Sequence, residues 1–76
     1  MFIHRGNVPI QFALAVYRIM HNQAGFQEWE LIDNYIASKG TNEVGEWIKS
    51  ILIDNKTENI EAELAWWMQE LGKRTN

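Results

Sequence analysis

The stretch from Glu58 to Leu71 reads ENIEAELAWWMQEL and has the spacing of an amphipathic helix. Its large apolar residues recur every three or four positions: Ile60, Leu64, Trp67, Met68 and Leu71. An α-helix has about 3.6 residues per turn, so this spacing places these side chains on one face. Glu58 lies at the predicted amino end, where the helix dipole favours negative charge, and Gly72 follows the predicted carboxyl end. We therefore predict a helix over residues 58–71 whose apolar face packs on a core.

Three further helices are predicted upstream. Apolar periodicity places them over residues 8–22, 26–39 and 43–54. Pro9 stands in a first turn, where its missing N–H is tolerated, and Gly40 can end the second helix in a left-handed conformation. Residues 1–6 alternate apolar with polar and are predicted to form a short extended arm. The expected fold is all-α: a compact bundle of four short helices with this amino-terminal arm, in one domain of residues 1–76.

The first predicted helix is apolar around most of its circumference. Its polar residues form only a narrow stripe: Gln11, Arg18 and Asn22. A helix of this kind is normally buried, so we predict that it is the central one. The core faces predicted for the second and third helices contain Phe26, Trp29, Ile32 and Ile36, and Val44, Trp47, Ile48, Ile51 and Leu52.

The composition is that of a small acidic globular protein. Of 76 residues, 46% are hydrophobic and four are tryptophan, enough apolar bulk for one small core. Seven basic residues stand against ten acidic ones, a net charge of −3, so the chain has no broad positive field for nucleic acid or an anionic membrane. The absence of cysteine excludes disulfides and thiolate zinc sites and favours a reducing compartment such as the cytoplasm. The most apolar run, residues 8–17, is too short to span a membrane.

No residue pattern points to catalysis, a cofactor or a metal ion. The candidates, His4, His21 and scattered carboxylates, have no fixed spacing relative to one another. His21 lies near the predicted carboxyl end of the first helix, where the helix dipole favours positive charge. The acidic residues Glu28, Glu30 and Asp33 are predicted to form a solvated face. We therefore expect a protein that is not an enzyme.

A helix-turn-helix DNA-binding regulator is the alternative functional class. The second and third helices are separated only by residues 40–42, a spacing compatible with that motif. The outer face of the third helix nevertheless carries more acidic than basic residues: Glu43, Glu46 and Asp54 against Lys49. Such a face would repel phosphates, so nucleic acid is a disfavoured partner.

The most informative residues are apolar side chains that point away from the predicted core. At about 100° per residue, Trp66 lies about 140° from the centre of the apolar face of the fourth helix. Leu31 and Tyr35 are one turn apart and lie about 110° to 160° from the core face of the second helix. Ile53 lies nearly opposite the core face of the third helix. We predict that these side chains face outward.

Two explanations for the outward-facing residues remain open. The amino-terminal arm or the first helix could cover them, or they could form an interface, since Trp and Tyr commonly anchor protein-binding surfaces. Neighbouring acidic residues would then form a charged rim that speeds association with a basic partner. The predicted protein-binding surface comprises Leu31, Tyr35, Ile53, Trp66, Glu28 and Glu70.

The function predicted from these residues is protein–protein interaction. The partner is expected to be a protein target or a second copy of the chain, because a homodimer and a foreign target would use the same kind of surface. A small acidic module is suited to act as an inhibitor or adaptor that occludes a basic, nucleic-acid-handling protein.

Overall fold

The apolar face of the fourth helix packs inward along most of its length, as its spacing predicts, but Met68, predicted on the same face, is 38% exposed. In the computed structural model, which describes residues 8–74, Trp67 and Leu71 are fully buried, and Ile60 and Leu64 pack against the same core. The described residues form four helices: α1 (Ile10–Met20), α2 (Phe26–Lys39), α3 (Thr41–Asp54) and α4 (Ile60–Arg74). The Cα radius of gyration is 11.5 Å, close to the value of about 11 Å expected for a compact chain of this size. The all-α bundle is confirmed, and the predicted arm at residues 1–6 lies outside the described residues.

The central helix is α3, which packs against α1, α2 and α4. It buries residues along most of its length: Val44, Gly45, Trp47, Ile48, Ile51 and Leu52. The prediction that the first helix is central is wrong. That helix, α1, packs one side against α2 and α3 and leaves apolar side chains exposed on the other. Apolar residues on every side of a helix show that any of its faces can be buried. The placement of the other helices decides which of these faces is buried.

Three aromatic rings join α1, α2 and α3. Phe12 is fully buried and meets Tyr35 and Trp47 edge to face, with ring centroids 5.6 Å and 5.2 Å apart. Tyr35 and Trp47 complete the triangle at 5.4 Å. Edge-to-face pairs add about 0.5–1.5 kcal/mol each beyond the burial of their surface, so this triangle holds the three helices together.

The boundaries of α1 and α3 differ from the predicted ones by a few residues. Pro9 is extended and precedes the helix, so α1 begins at Ile10, and the left-handed φ of 60° at Asn22 follows its end. Gly40, with a φ of 96°, is the single residue between α2 and α3. The Gly40 carbonyl accepts a hydrogen bond from the N–H of Val44, which places Thr41 in the first turn of α3. The three-residue turn predicted between these helices is therefore wrong.

Both ends of α4 are shifted towards the carboxyl terminus. The side-chain oxygen of Asn59 accepts a hydrogen bond from the N–H of Ala62 at 3.2 Å and caps a helix that starts at Ile60. At the other end the helix continues through Gly72 to Arg74, so the predicted end at Leu71 is wrong. A tertiary contact of Arg74, described below, holds this last turn and outweighs the tendency of glycine to end a helix.

Gly45 allows α3 and α4 to approach closely. A Cβ atom at this position would lie 2.9 Å from the sulfur of Met68, inside van der Waals contact. The flexible thioether of Met68 therefore occupies the space that a Cβ atom at position 45 would enter, and it would have to shift to admit one. This contact explains why Gly45 is buried although it lies inside a helix, where glycine is intrinsically unfavourable.

Candidate protein-binding surface

The outer side of α4 is an exposed surface that contains a tryptophan among small and uncharged residues. We call Ala62, Ala65, Trp66 and Gln69 the α4 outer surface; all are exposed. Trp66 is 42% exposed, so the sequence-based prediction that it points away from the core agrees with its position. Outer faces of amphipathic helices normally carry charged side chains. This one has none at its centre.

Two other tryptophans pack against the Trp66 ring on its core side. Its centroid lies 5.1 Å from that of Trp67, which is fully buried, and 6.5 Å from that of Trp29, which is partly buried. Trp29 and Trp67 are themselves 5.9 Å apart. Because both supports are packed against the core, the Trp66 ring is held in a defined position while part of its surface contacts solvent.

A cation from the end of α4 fixes Trp29. The guanidinium carbon of Arg74 lies 3.9 Å from the centroid of the Trp29 ring, and its Nη1 lies 3.6 Å from Oδ1 of Asp33. An arginine over a tryptophan face is attracted by the ring quadrupole. Arg74 therefore holds Trp29 beneath Trp66 and joins α2 to the last turn of α4.

Acidic residues border the α4 outer surface. Between Glu61 and Glu70 the only charged residue is Glu63, which is half-buried. Glu58 and Glu61 are exposed at the amino end of the helix. Glu70 is half-buried and pairs with Lys73 at 3.0 Å. The surface thus has an uncharged centre, an acidic amino-terminal edge and a Glu70–Lys73 ion pair at its carboxyl-terminal edge.

Two other residues of the predicted surface lie against α1. Tyr35 is half-buried in the aromatic triangle with Phe12 and Trp47, so the prediction that it faces outward is wrong. Leu31 is half-buried and lines a groove of about 240 Å³ together with Leu14 and other residues of α1 and α2. The first helix therefore partly covers the second apolar face of α2, one of the two explanations that the sequence left open.

Glu28 is committed to contacts within the chain. Its carboxylate accepts a hydrogen bond from the N–H of Gly25 at 2.8 Å and from Arg18 at 3.0 Å. Both contacts lower the pKa of the Glu28 carboxyl from its ordinary value, and the hydrogen bond from Gly25 has the larger effect.

Ile53 is exposed in the last turn of α3. The structure thus places Trp66 and Glu70 one turn apart on α4, and Leu31, Tyr35 and Glu28 on a different helix.

A set of exposed apolar residues on α1 and α2 was not predicted from the sequence. Ile10, Leu14 and Tyr17, which we call the α1 stripe, are 67%, 47% and 45% exposed. Phe26, predicted to lie in the core, is 79% exposed because the core face of α2 is centred on Ile32 and Ile36, about 100° away. The signal for the stripe is the all-round apolar character of the first helix, which is compatible with one exposed apolar face as well as with complete burial.

Metal binding and membrane insertion find no support in the described residues. Within residues 8–74, no group of three or more His, Asp or Glu side chains is arranged to hold a metal ion. None of the described helices combines the length and apolar character needed to cross a membrane. Comparison with protein-family models, curated proteins and solved structures finds no match to this chain. The function proposed below therefore rests on the geometry and charge of the molecule itself.

Proposed function

We propose that this chain is a small protein-interaction module whose α4 outer surface contacts a protein target. The observation that carries the proposal is the Trp66 ring, 42% exposed at the centre of an uncharged helical surface and supported by two further tryptophans. Tryptophan is among the residues most enriched at binding hot spots, because one side chain buries a large area with little loss of conformational freedom.

The small residues around Trp66 favour close contact with a partner. Ala62 and Ala65 project little beyond the helix backbone, so a partner side chain can pack against the edge of the indole and the helix together. Because Trp29 and Trp67 already restrict the ring, binding would lose little additional side-chain entropy. A preorganised anchor of this kind supports affinity without a large interface.

The acidic edge favours a basic partner. The chain carries ten acidic and seven basic residues, and Glu58, Glu61 and Glu63 lie at the amino-terminal edge of the surface. Opposite charge at a rim steers association and excludes acidic competitors. We therefore propose that the module occludes a basic surface, such as that of a nucleic-acid-handling protein, in a reducing compartment such as the cytoplasm.

Nothing specific in the described structure favours DNA binding by α3. That helix turns most of its large side chains into the core, and the residues it exposes include Glu43 and Glu46. A recognition helix approaches phosphates with its exposed side and gains from positive charge there. Protein binding through α4 is accordingly the single function proposed.

A capture experiment with matched variants tests the proposal. Wild type, Trp66→Ser and Asn34→Ser would be immobilised and exposed to a native lysate at low and at high salt; Asn34 is exposed on α2 and serves as the control. We expect a basic protein to be retained by wild type and Asn34→Ser, lost with Trp66→Ser, and released by salt. Retention of the same proteins by folded Trp66→Ser would contradict the proposal.

A further inference from the structure

The α1 stripe is a second apolar surface, separate from the proposed target-binding surface. Ile10, Leu14 and Tyr17 follow one another at intervals of four and three residues, so their side chains form one row along α1. His21 continues the row, with its ring centroid 4.2 Å from that of Tyr17. A contiguous apolar row on the outside of a helix marks an interaction surface more often than a solvated one.

The stripe carries almost no net charge, which constrains what can bind it. Arg18 is the only charged residue of α1, and its guanidinium is paired with Glu28 at 3.0 Å. The remainder of the chain is acidic, with Glu43 and Glu46 exposed on α3. Two copies with a net charge of −3 would repel one another on most approaches, but not through this face. A basic target would gain no charge complementarity there.

The stripe also combines projections and a recess on the same face. Leu14 lines a groove of about 240 Å³ together with apolar and polar residues: Ala15, Leu31, Gln11, Arg18, Gln27 and Glu28. Ile10 and Tyr17 project on either side of Leu14 along the helix. A surface with both a recess and projecting side chains can pair with a copy of itself across a two-fold axis. The projecting side chains of each copy then fill the recess of the other.

We infer that the α1 stripe binds a second copy of this chain, with the two α1 helices antiparallel and crossing near Leu14. In that arrangement Ile10 and Tyr17 of each copy pack beside Leu14 of the other and close the groove. The acidic edge of α4 stays outside the contact, so the dimer presents a target-binding surface on each copy. This inference stands independently of the proposed function.

Sedimentation equilibrium of the full chain tests the inference. We expect the wild-type mass to rise from 8.9 kDa towards twice that value as the concentration approaches about 1 mM, where even a weak dimer is populated. Leu14→Glu would bury a carboxylate against its copy and should raise the dissociation constant at least ~100-fold. Trp66→Ser should dimerise as wild type does. A wild type that stays monomeric, or a Leu14→Glu variant that dimerises normally, would overturn the inference.

A cross-linking variant covers the case in which Leu14→Glu fails to fold. The chain has no cysteine, so Leu14→Cys introduces a single thiol close to the inferred axis. With oxidised glutathione as the oxidant, we expect Leu14→Cys to form a disulfide-linked dimer faster than Gln69→Cys, whose thiol lies on the α4 outer surface. Equal rates for the two variants would count against the α1 contact.

Discussion

The guanidinium of Arg74 lies over the ring of Trp29 at 3.9 Å from its centroid and ties the last turn of α4 to α2. The same side chain approaches Asp33 at 3.6 Å. Helix α4 extends past Gly72 because these contacts stabilise its end. The tryptophan that they hold is one of the two on which Trp66 rests, so the carboxyl end of the chain helps to organise the proposed binding surface.

Removal of this cation should destabilise the fold. A cation over an aromatic face is worth about 0.5–1 kcal/mol at an exposed site, and a surface ion pair adds about 0–1 kcal/mol. We expect Arg74→Ala to lower the free energy of unfolding by about 1 kcal/mol, measured by urea denaturation. Lys73→Ala is the control, because Lys73 lies in the same turn and pairs with Glu70; it should lose no more than about 0.5 kcal/mol. If both variants lost the same free energy of unfolding, the loss would be due to helix-end charge alone and not to the contact between Arg74 and Trp29.

Gly45 should tolerate one methyl group but not a branched side chain. In Gly45→Ala, the gain in helix propensity of about 1 kcal/mol is opposed by contact with Met68, whose flexible end can turn away. We expect a net change in unfolding free energy within about 0.5 kcal/mol. Gly45→Val would overpack the contact and destabilise by about 1–3 kcal/mol. Adding Met68→Ala to Gly45→Val should recover part of that loss, and the absence of recovery would show that Met68 does not limit position 45.

Glu28 should make stability depend on pH at the acid end. Its carboxyl has a lowered pKa in the folded chain because it accepts hydrogen bonds from Gly25 and Arg18. Its stabilising contribution is therefore complete above the pKa of the unfolded chain and is lost as the pH falls through the folded pKa. We expect Glu28→Gln to be less stable than wild type at neutral pH and to converge with it in acid. Urea titrations across the acid range would check this, with Glu30→Gln as the control for removing one negative charge. A constant difference between Glu28→Gln and wild type at every pH would contradict the assignment.

The adjacent tryptophans 66 and 67 should respond very differently to truncation. Trp67 is fully buried, and its replacement by Ala should cost about 3–5 kcal/mol, enough to unfold much of so small a domain. Trp66→Ser removes a ring that is partly in solvent, so we expect a loss of about 1–2 kcal/mol with the helical circular dichroism retained. Unfolding of Trp66→Ser would place that ring in the core and remove the main support for the binding surface.

The sequence predicted the helices well, because each has a core face of regularly spaced apolar residues. The row Leu64, Trp67 and Leu71 is the clearest case, and its outward neighbour Trp66 was correctly placed by the same geometry. The arrangement of the helices could not be predicted in this way. Two apolar faces on one helix look equivalent in the sequence, and only the tertiary packing decides that on α2 Tyr35 is largely covered while Phe26 is exposed.

The contacts of Glu28 and the end of α4 were predicted less well than the position of Trp66. Glu28 was predicted to belong to the charged rim of the binding surface, but its carboxylate accepts a hydrogen bond from the N–H of Gly25 at the start of α2. Gly72 indicated the end of the last helix, yet the contacts of Arg74 stabilise a further turn and α4 ends at Arg74. In both cases a specific contact outweighs a local preference of modest energy.

The most direct test of the proposed function is ¹⁹F NMR of the chain labelled with 5-fluorotryptophan. Substitution of single tryptophans by phenylalanine would assign the four resonances that four tryptophans predict. In the free chain the Trp66 signal should shift between H₂O and D₂O while that of Trp67 does not, and addition of the captured basic partner should shift or broaden Trp66 first. A Trp66 signal as insensitive to solvent as Trp67, or one unchanged by a bound partner, would contradict the assignment of the α4 outer surface as the binding site.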